Sequence, residues 1–379
     1  MTVTCSRRRL LQLSIATGLA LAAPWTIAAD PAATLYARSL VIDGLGFPGG
    51  MDDENEGLSD LELAHVAESG LAATHLTVGS VGTMAPLAAF EQIVRDVARW
   101  DDEIAAHPEV LAGVRAVSDI GRARQAGRLG LIYGLQDGVA FEDDPARLDA
   151  LAHLGIRVVQ PTYNRRNLLG DGCMEPADAG LSRTGLEAVE RLQTLGLLVD
   201  LSHCGRRTAA DAIAAATRPV AFTHTGCYAL AEHPRHRTDA ELRAVADTGG
   251  VSGIFIMPYL AKGEQPTADD VIAHLEHAIK VAGEDHVSLG TDGVISPTDL
   301  SEAYKEQFRE TTRTRKERGI AAPYETEDGY LFASDLNTPR RFETLAGRLL
   351  ERGHGEARVE KILGGNLLRV FGEAWNAPA

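Results

Sequence analysis

Three observations predict an α/β chain closed into a (β/α)₈, TIM-like barrel. Apolar runs recur eight times with helical patterns between them, the alternation that builds a parallel sheet. Two of these runs, Val199-Asp-Leu-Ser-His203-Cys and Val220-Ala-Phe-Thr-His224-Thr, each end in a histidine with one helical segment between them. Neighbouring strands would then present two imidazoles at one rim, where active groups of such barrels sit. The third observation is length: 379 residues exceed one ordinary domain of about 150 but suit a barrel of about 250 with insertions and a leader.

In chain order, strands are expected at Ser39–Asp43, Ala72–Val78, Gly130–Leu135, Ile156–Pro161, Gly196–His203, Val220–His224, Val251–Met257 and His286–Asp292. Between them Ala85–Ala106, Arg183–Thr194, Thr208–Ala216, Asp239–Asp247 and Ala268–Val281 carry apolar residues at helical spacing. Ser182, Thr238 and Thr267 are placed as N-caps, and Gly196 and Gly283 as helix stops. Two connections are long. Tyr163 to Ser182 is polar and glycine-rich, as substrate-binding rim loops often are. An insertion at about 294–336 contains the charged run Ser301 to Arg318, read as a solvated helix, with a lid or subunit contact as alternatives. No internal repeat or low-complexity tract breaks residues 30–379 into further domains.

Residues 1–29 read differently. Ser6-Arg7-Arg8-Arg9-Leu10-Leu11 precedes a weakly apolar run, Leu13 to Pro24, and then Ala28 and Ala29, which is the pattern of a twin-arginine signal peptide. The run is shorter than the roughly 20 residues of a membrane span. The expectation is export to the periplasm of a mature chain with no membrane span. Removing the leader with its three arginines takes the net charge from −16 to −19, which disfavours nucleic acid and anionic membranes as partners. Cys173, Cys204 and Cys227 would remain, enough for at most one intrachain disulfide and a spare thiol.

Either histidine alone would pass for a hydrogen-bonded core residue. The pair suits zinc or a similar divalent ion, which lowers the pKa of a bound water and polarises a carbonyl. Asp292, in Leu289-Gly290-Thr291-Asp292-Gly293, can take and return a proton, and Arg235, in His233-Pro234-Arg235-His236-Arg237, can clamp a substrate carboxylate.

These strings resemble the renal or membrane dipeptidase family of zinc metallopeptidases. The resemblance runs from Gly180-Leu-Ser through Asp200-Leu-Ser-His203, Thr223-His224, Pro234-Arg235-His236-Arg-Thr-Asp239 and Gly290-Thr-Asp292 to Asn366-Leu-Leu-Arg-Val-Phe371. It implies a distorted barrel of the metallo-dependent hydrolase type, often dimeric, with two bridged zinc ions cleaving dipeptides. Carried over by position, His203 and His224 match the histidines of the second zinc, Arg235 the carboxylate-binding arginine and Asp292 the proton-handling aspartate.

The chain also departs from the family. Where the first strand should end in Asp-Gly-His-x-Asp, with two ligands of the first zinc, it reads Asp43-Gly44-Leu45-Gly46-Phe47. The bridging glutamate is replaced by Gln136, a histidine by Tyr163, and Asp-Phe-Asp-Gly is shortened to Asp292-Gly293.

One zinc ion is therefore expected rather than two, on His203, His224 and a third ligand. Gln136, Asp137, Asp43, Glu175 and Tyr163 are open for that place, and His75 could point into the barrel or pack in its core. Gln136 is taken as the metal residue, with Arg235, Tyr163 and Asn164 as substrate-binding residues and Asp292 as catalytic. The expected function is an exported metallodipeptidase-like hydrolase of a small peptide or amide, with a homodimer left open. Lactams, D-amino-acid dipeptides and nonribosomal peptide precursors are alternative substrates. A catalytically silent relative that binds a peptide-derived ligand, or assists maturation of a periplasmic partner, is the alternative function.

Overall fold

Eight short parallel strands curl into the expected barrel in a computed structural model that describes residues 30–49, 57–82, 84–317 and 321–376. They are β1 (Ile42–Asp43), β2 (Ala73–Thr77), β3 (Leu129–Leu135), β4 (Val158–Val159), β5 (Leu198–Asp200), β6 (Val220–Cys227), β7 (Val251–Ile254) and β8 (Val287–Leu289). Each pairs in parallel with the next in chain order. The ring closes where Gly44 N donates to Leu289 O (2.9 Å) and Gly293–Val294 pairs in parallel with Gly46–Phe47. The expected signal peptide lies outside the described residues.

All eight expected runs hold a strand, but most strands are shorter than their apolar run. β5 stops at Asp200 instead of His203 because the Asp200 carboxylate accepts from Ser202 N and Oγ and turns the chain at once. β6 runs longer, to Cys227. A further strand, Leu111–Val114, pairs outside the eight with the start of β3.

Helices Arg183–Thr194 and Asp239–Asp247 match their expected bounds. Ser182 Oγ accepts from Gly185 N, and Thr238 forms a reciprocal capping box with Glu241, so local chemistry fixes both starts. Helix Asn366–Trp375 closes the end where the strands begin, packing Leu367, Val370 and Phe371 among Ile42, Ile132, Val158, Leu198 and Val251. The opposite end, where the strands finish, is not covered by this helix.

The barrel is pinched. The Thr223 carbonyl on β6 lies so close to Gly253 and Gly290 that a Cβ on either would sit 2.1 or 2.0 Å from it, so only glycine fits. In the insertion, helix Glu302–Glu317 is largely exposed, and ion pairs from Arg309, Arg313 and Arg315 to Asp328, Glu327 and Glu325 fold the returning segment back along it. Among the described residues no helix is long and apolar enough to cross a membrane.

Candidate active site

The site grows from the turn after β5. Besides Ser202, Asp200 accepts from Thr223 N (3.0 Å) and Thr223 Oγ1 (2.6 Å), which joins the end of β5 to the middle of β6. Because its proton goes to Asp200, the Thr223 hydroxyl is left to accept from His224 Nδ1 (2.8 Å). His203 Nδ1 donates to Asn164 Oδ1 (2.7 Å), and Tyr163 stacks on the same imidazole at 4.1 Å between ring centroids. Both Nδ1 protons are thereby committed, and both Nε2 atoms carry a lone pair.

Those lone pairs meet at Gln136. Its amide nitrogen, at the end of β3, lies 3.4 Å from His203 Nε2 and 3.1 Å from His224 Nε2, within donating reach of both. Burial first, and then the positive charge of Arg235, hold both imidazoles well below their ordinary pKa, so they are neutral at physiological pH.

Arg237 stiffens the arrangement from behind. It is fully buried, its Nη2 donates to the carbonyls of Leu201, Ser202 and Cys204, and its guanidinium lies 4.6 Å from the Phe222 ring centre. Nothing in the string His236-Arg237 marks that role, since the three carbonyls come from a loop more than thirty positions earlier.

Arg235 is buried, donates one N–H to His224 O (3.2 Å), and keeps an Nε with no hydrogen-bond partner among the described residues. Asp292 stands half-buried at φ 57° in the left-handed region. Burial pushes its carboxyl up to about 6, with Arg235 pulling it back. The Tyr163 phenol is pushed up to about 12 by burial and then by Asp292. Asn164, expected to touch substrate, spends its carboxamide oxygen on His203 and receives the Cys173 thiol at 3.5 Å.

The other candidate ligands are engaged elsewhere. Asp43 accepts from Leu45 N, Thr291 N and Thr291 Oγ1, and Asp137 from Gly82 N, Val139 N and Asn167 Nδ2. Glu175 accepts from Arg166 N, and His75 is fully buried with Nδ1 on Gly44 O (2.8 Å). Cys173, Cys204 and Cys227 are all free thiols.

Catalytic zinc takes three protein ligands at about 2.0–2.2 Å, which places tetrahedral donors about 3.3 Å apart. The two spacings at Gln136 match that figure, and turning its carboxamide over would put Oε1 where Nε2 stands. The residues fit one ion, on His203, His224 and Gln136. Where the family pattern places a ligand of a first zinc, Leu45 is a fully buried hydrocarbon, and among the described residues no three His, Cys, Asp or Glu side chains converge on a metal position.

A groove of about 440 Å³ adjoins the site, with Cys173, Arg206, Tyr228 and His233 among its walls. Pro323 of the insertion also lines it, and its carbonyl lies 3.1 Å from His233 Nε2.

Comparison with known proteins decides the family. The profile of the membrane dipeptidases, peptidase family M19, matches residues 25–306. The chain belongs to this family. An amidohydrolase from Pseudomonas aeruginosa is 32% identical, with a TM-score of 0.77, over 91% of this chain and 99% of that one. Among curated relatives, the dipeptidase verJ of Clonostachys rogersoniana is 28% identical over 68% of this chain, which spans 58% of verJ's length. A metallopeptidase from Rhodobacter sphaeroides, solved with a phosphinate mimic of L-Ala-D-Ala, shares the fold (TM-score 0.72) at 18% identity, over 89% of this chain and 100% of that one. The fold is the (β/α)₈ metallo-dependent hydrolase barrel, and M19 metallopeptidases depend on metal.

Proposed function

We propose that this M19 protein is a dipeptidase-type hydrolase that cleaves a small peptide or amide with one metal ion, zinc by donor chemistry, at His203, His224 and Gln136. The observation that carries the reading is the convergence of two neutral Nε2 atoms, each backed by a hydrogen bond on its other nitrogen. When bound, such an ion polarises the scissile carbonyl and acidifies water. Arg235 receives the substrate carboxylate, which would pair its buried Nε. Asp292, with its carboxyl near 6, is mostly ionised at neutral pH, takes a proton from the attacking water and passes it to the leaving amine. Tyr163 keeps its proton and donates toward the substrate carbonyl oxygen. Residues 1–29 carry the signal that would deliver the chain to the periplasm by the twin-arginine route.

A panel of dipeptides and N-acyl amino acids, assayed with zinc, tests this. Asp292→Asn should lower kcat about 10²–10⁴-fold, and wild-type kcat/KM should climb as pH rises through about 6, because only the ionised carboxylate accepts the proton. The silent, ligand-binding reading draws on the Gln136 amide, which satisfies both imidazoles without metal. Thermal stabilisation by a dipeptide without any turnover would establish it instead.

A further inference from the structure

We infer that the Gln136 carboxamide is a two-position latch that makes the metal centre exchangeable, an inference that rests on the single-metal reading. With nitrogen inward it ties the two imidazoles together in metal-free protein. With oxygen inward it completes the ligand set for a divalent cation.

The argument starts from the backbone. Gln136 leaves β3 and is followed by Asp137, whose carboxylate holds Gly82 N, Val139 N and Asn167 Nδ2. With its chain neighbour tied down in this way, the smallest motion that changes what Gln136 offers the imidazoles is rotation of its terminal amide. The imidazoles are equally fixed, His203 by Asn164 and His224 by Thr223 and Asp200, so their lone pairs point at the same place in either state.

A buried acceptor without a donor is costly, and here the amide donates to two of them at once. The metal-free protein is therefore complete at this site. A glutamate in the same position would set carboxylate oxygens against two lone pairs and would need a cation to reconcile them. Gln136 reverses that dependence. The ion must displace two hydrogen bonds and receives a neutral oxygen in return, so it binds loosely, and occupancy follows the free metal concentration around the protein.

The test is zinc binding by full-length mature protein, read by calorimetry and by thermal unfolding with and without metal, for wild type, Gln136→Glu, Gln136→Leu and His203→Ala. Gln136→Glu should bind zinc at least about 100-fold more tightly and lose more thermal stability than wild type when stripped of metal. Gln136→Leu has neither donor nor ligand and should bind more weakly than wild type. In 15N-labelled wild type, the side-chain NH₂ signal that Gln136→Glu removes should shift on zinc addition. Equal zinc affinity in wild type and Gln136→Glu, with that signal unmoved, overturns the latch. If His203→Ala still abolishes binding in that case, the single-metal reading stands. Zinc binding by none of the variants overturns both.

Discussion

At the β5/β6 rim, Asp200 collects four hydrogen bonds from the turn after β5 and from Thr223 within β6 and so positions two imidazoles. At the β8/β1 rim, Asp43 does similar structural work, collecting three from Thr291 and Leu45, yet the side chains that follow it are Leu45 and Phe47. Both carboxylates are buried knots between strands, but only one is followed by imidazoles that could hold a metal ion. The strand-end aspartate is therefore architecture, and what the following residues carry decides whether the rim does chemistry.

That contrast can be broken in four places. The largest expected effect is Asp200→Ala, which leaves four donors unpaired in the interior and should cost about 3–5 kcal/mol in urea unfolding while abolishing zinc binding. Asn164→Ala leaves the buried His203 Nδ1 proton unpaired and should cost about 1–3 kcal/mol in unfolding while weakening zinc binding about 10–100-fold.

Asp43 sharpens the contrast through pH. Burial raises its carboxyl to about 7, above the ordinary 3.8, so between those values the folded state holds more proton than the unfolded one. This group's contribution to stability must then fall as pH rises from about 4 to 7, and Asp43→Asn should remove a slope of about 1 kcal/mol per pH unit between pH 5 and 6. A wild-type minus variant difference that is flat in pH would show that Asp43 is ionised throughout. The smallest effect belongs to the insertion: Arg313→Ala breaks an exposed pair with Glu327 and should change stability by less than about 0.5 kcal/mol.

The eight strands were legible because each parallel strand is buried on both faces and reads as an apolar run. Helix bounds were legible at Ser182 and Thr238 because capping is local. Leu111–Val114 was missed: four residues, Leu-Ala-Gly-Val, carry no pattern, and the strand exists because β3 is long enough to offer it an edge. At the site, His203, His224 and Gln136 were named from sequence and the fold brings them together. The Thr223 relay and the Arg237 brace were invisible, because both depend on which backbone atoms from distant turns come within reach. Asp43, Asp137 and Glu175 could not be sorted from Gln136 by spacing, since a carboxylate's partners are set by the backbone N–H groups that fold around it.

The carbonyl of Thr223 wedged against Gly253 and Gly290 has a consequence for anyone diversifying this protein. Thr223 is adjacent to His224, so a methyl group at either glycine would transmit its displacement to an imidazole through a single peptide link. Substitutions at these two positions should therefore disturb the His203–His224 pair although neither glycine has a side chain of its own.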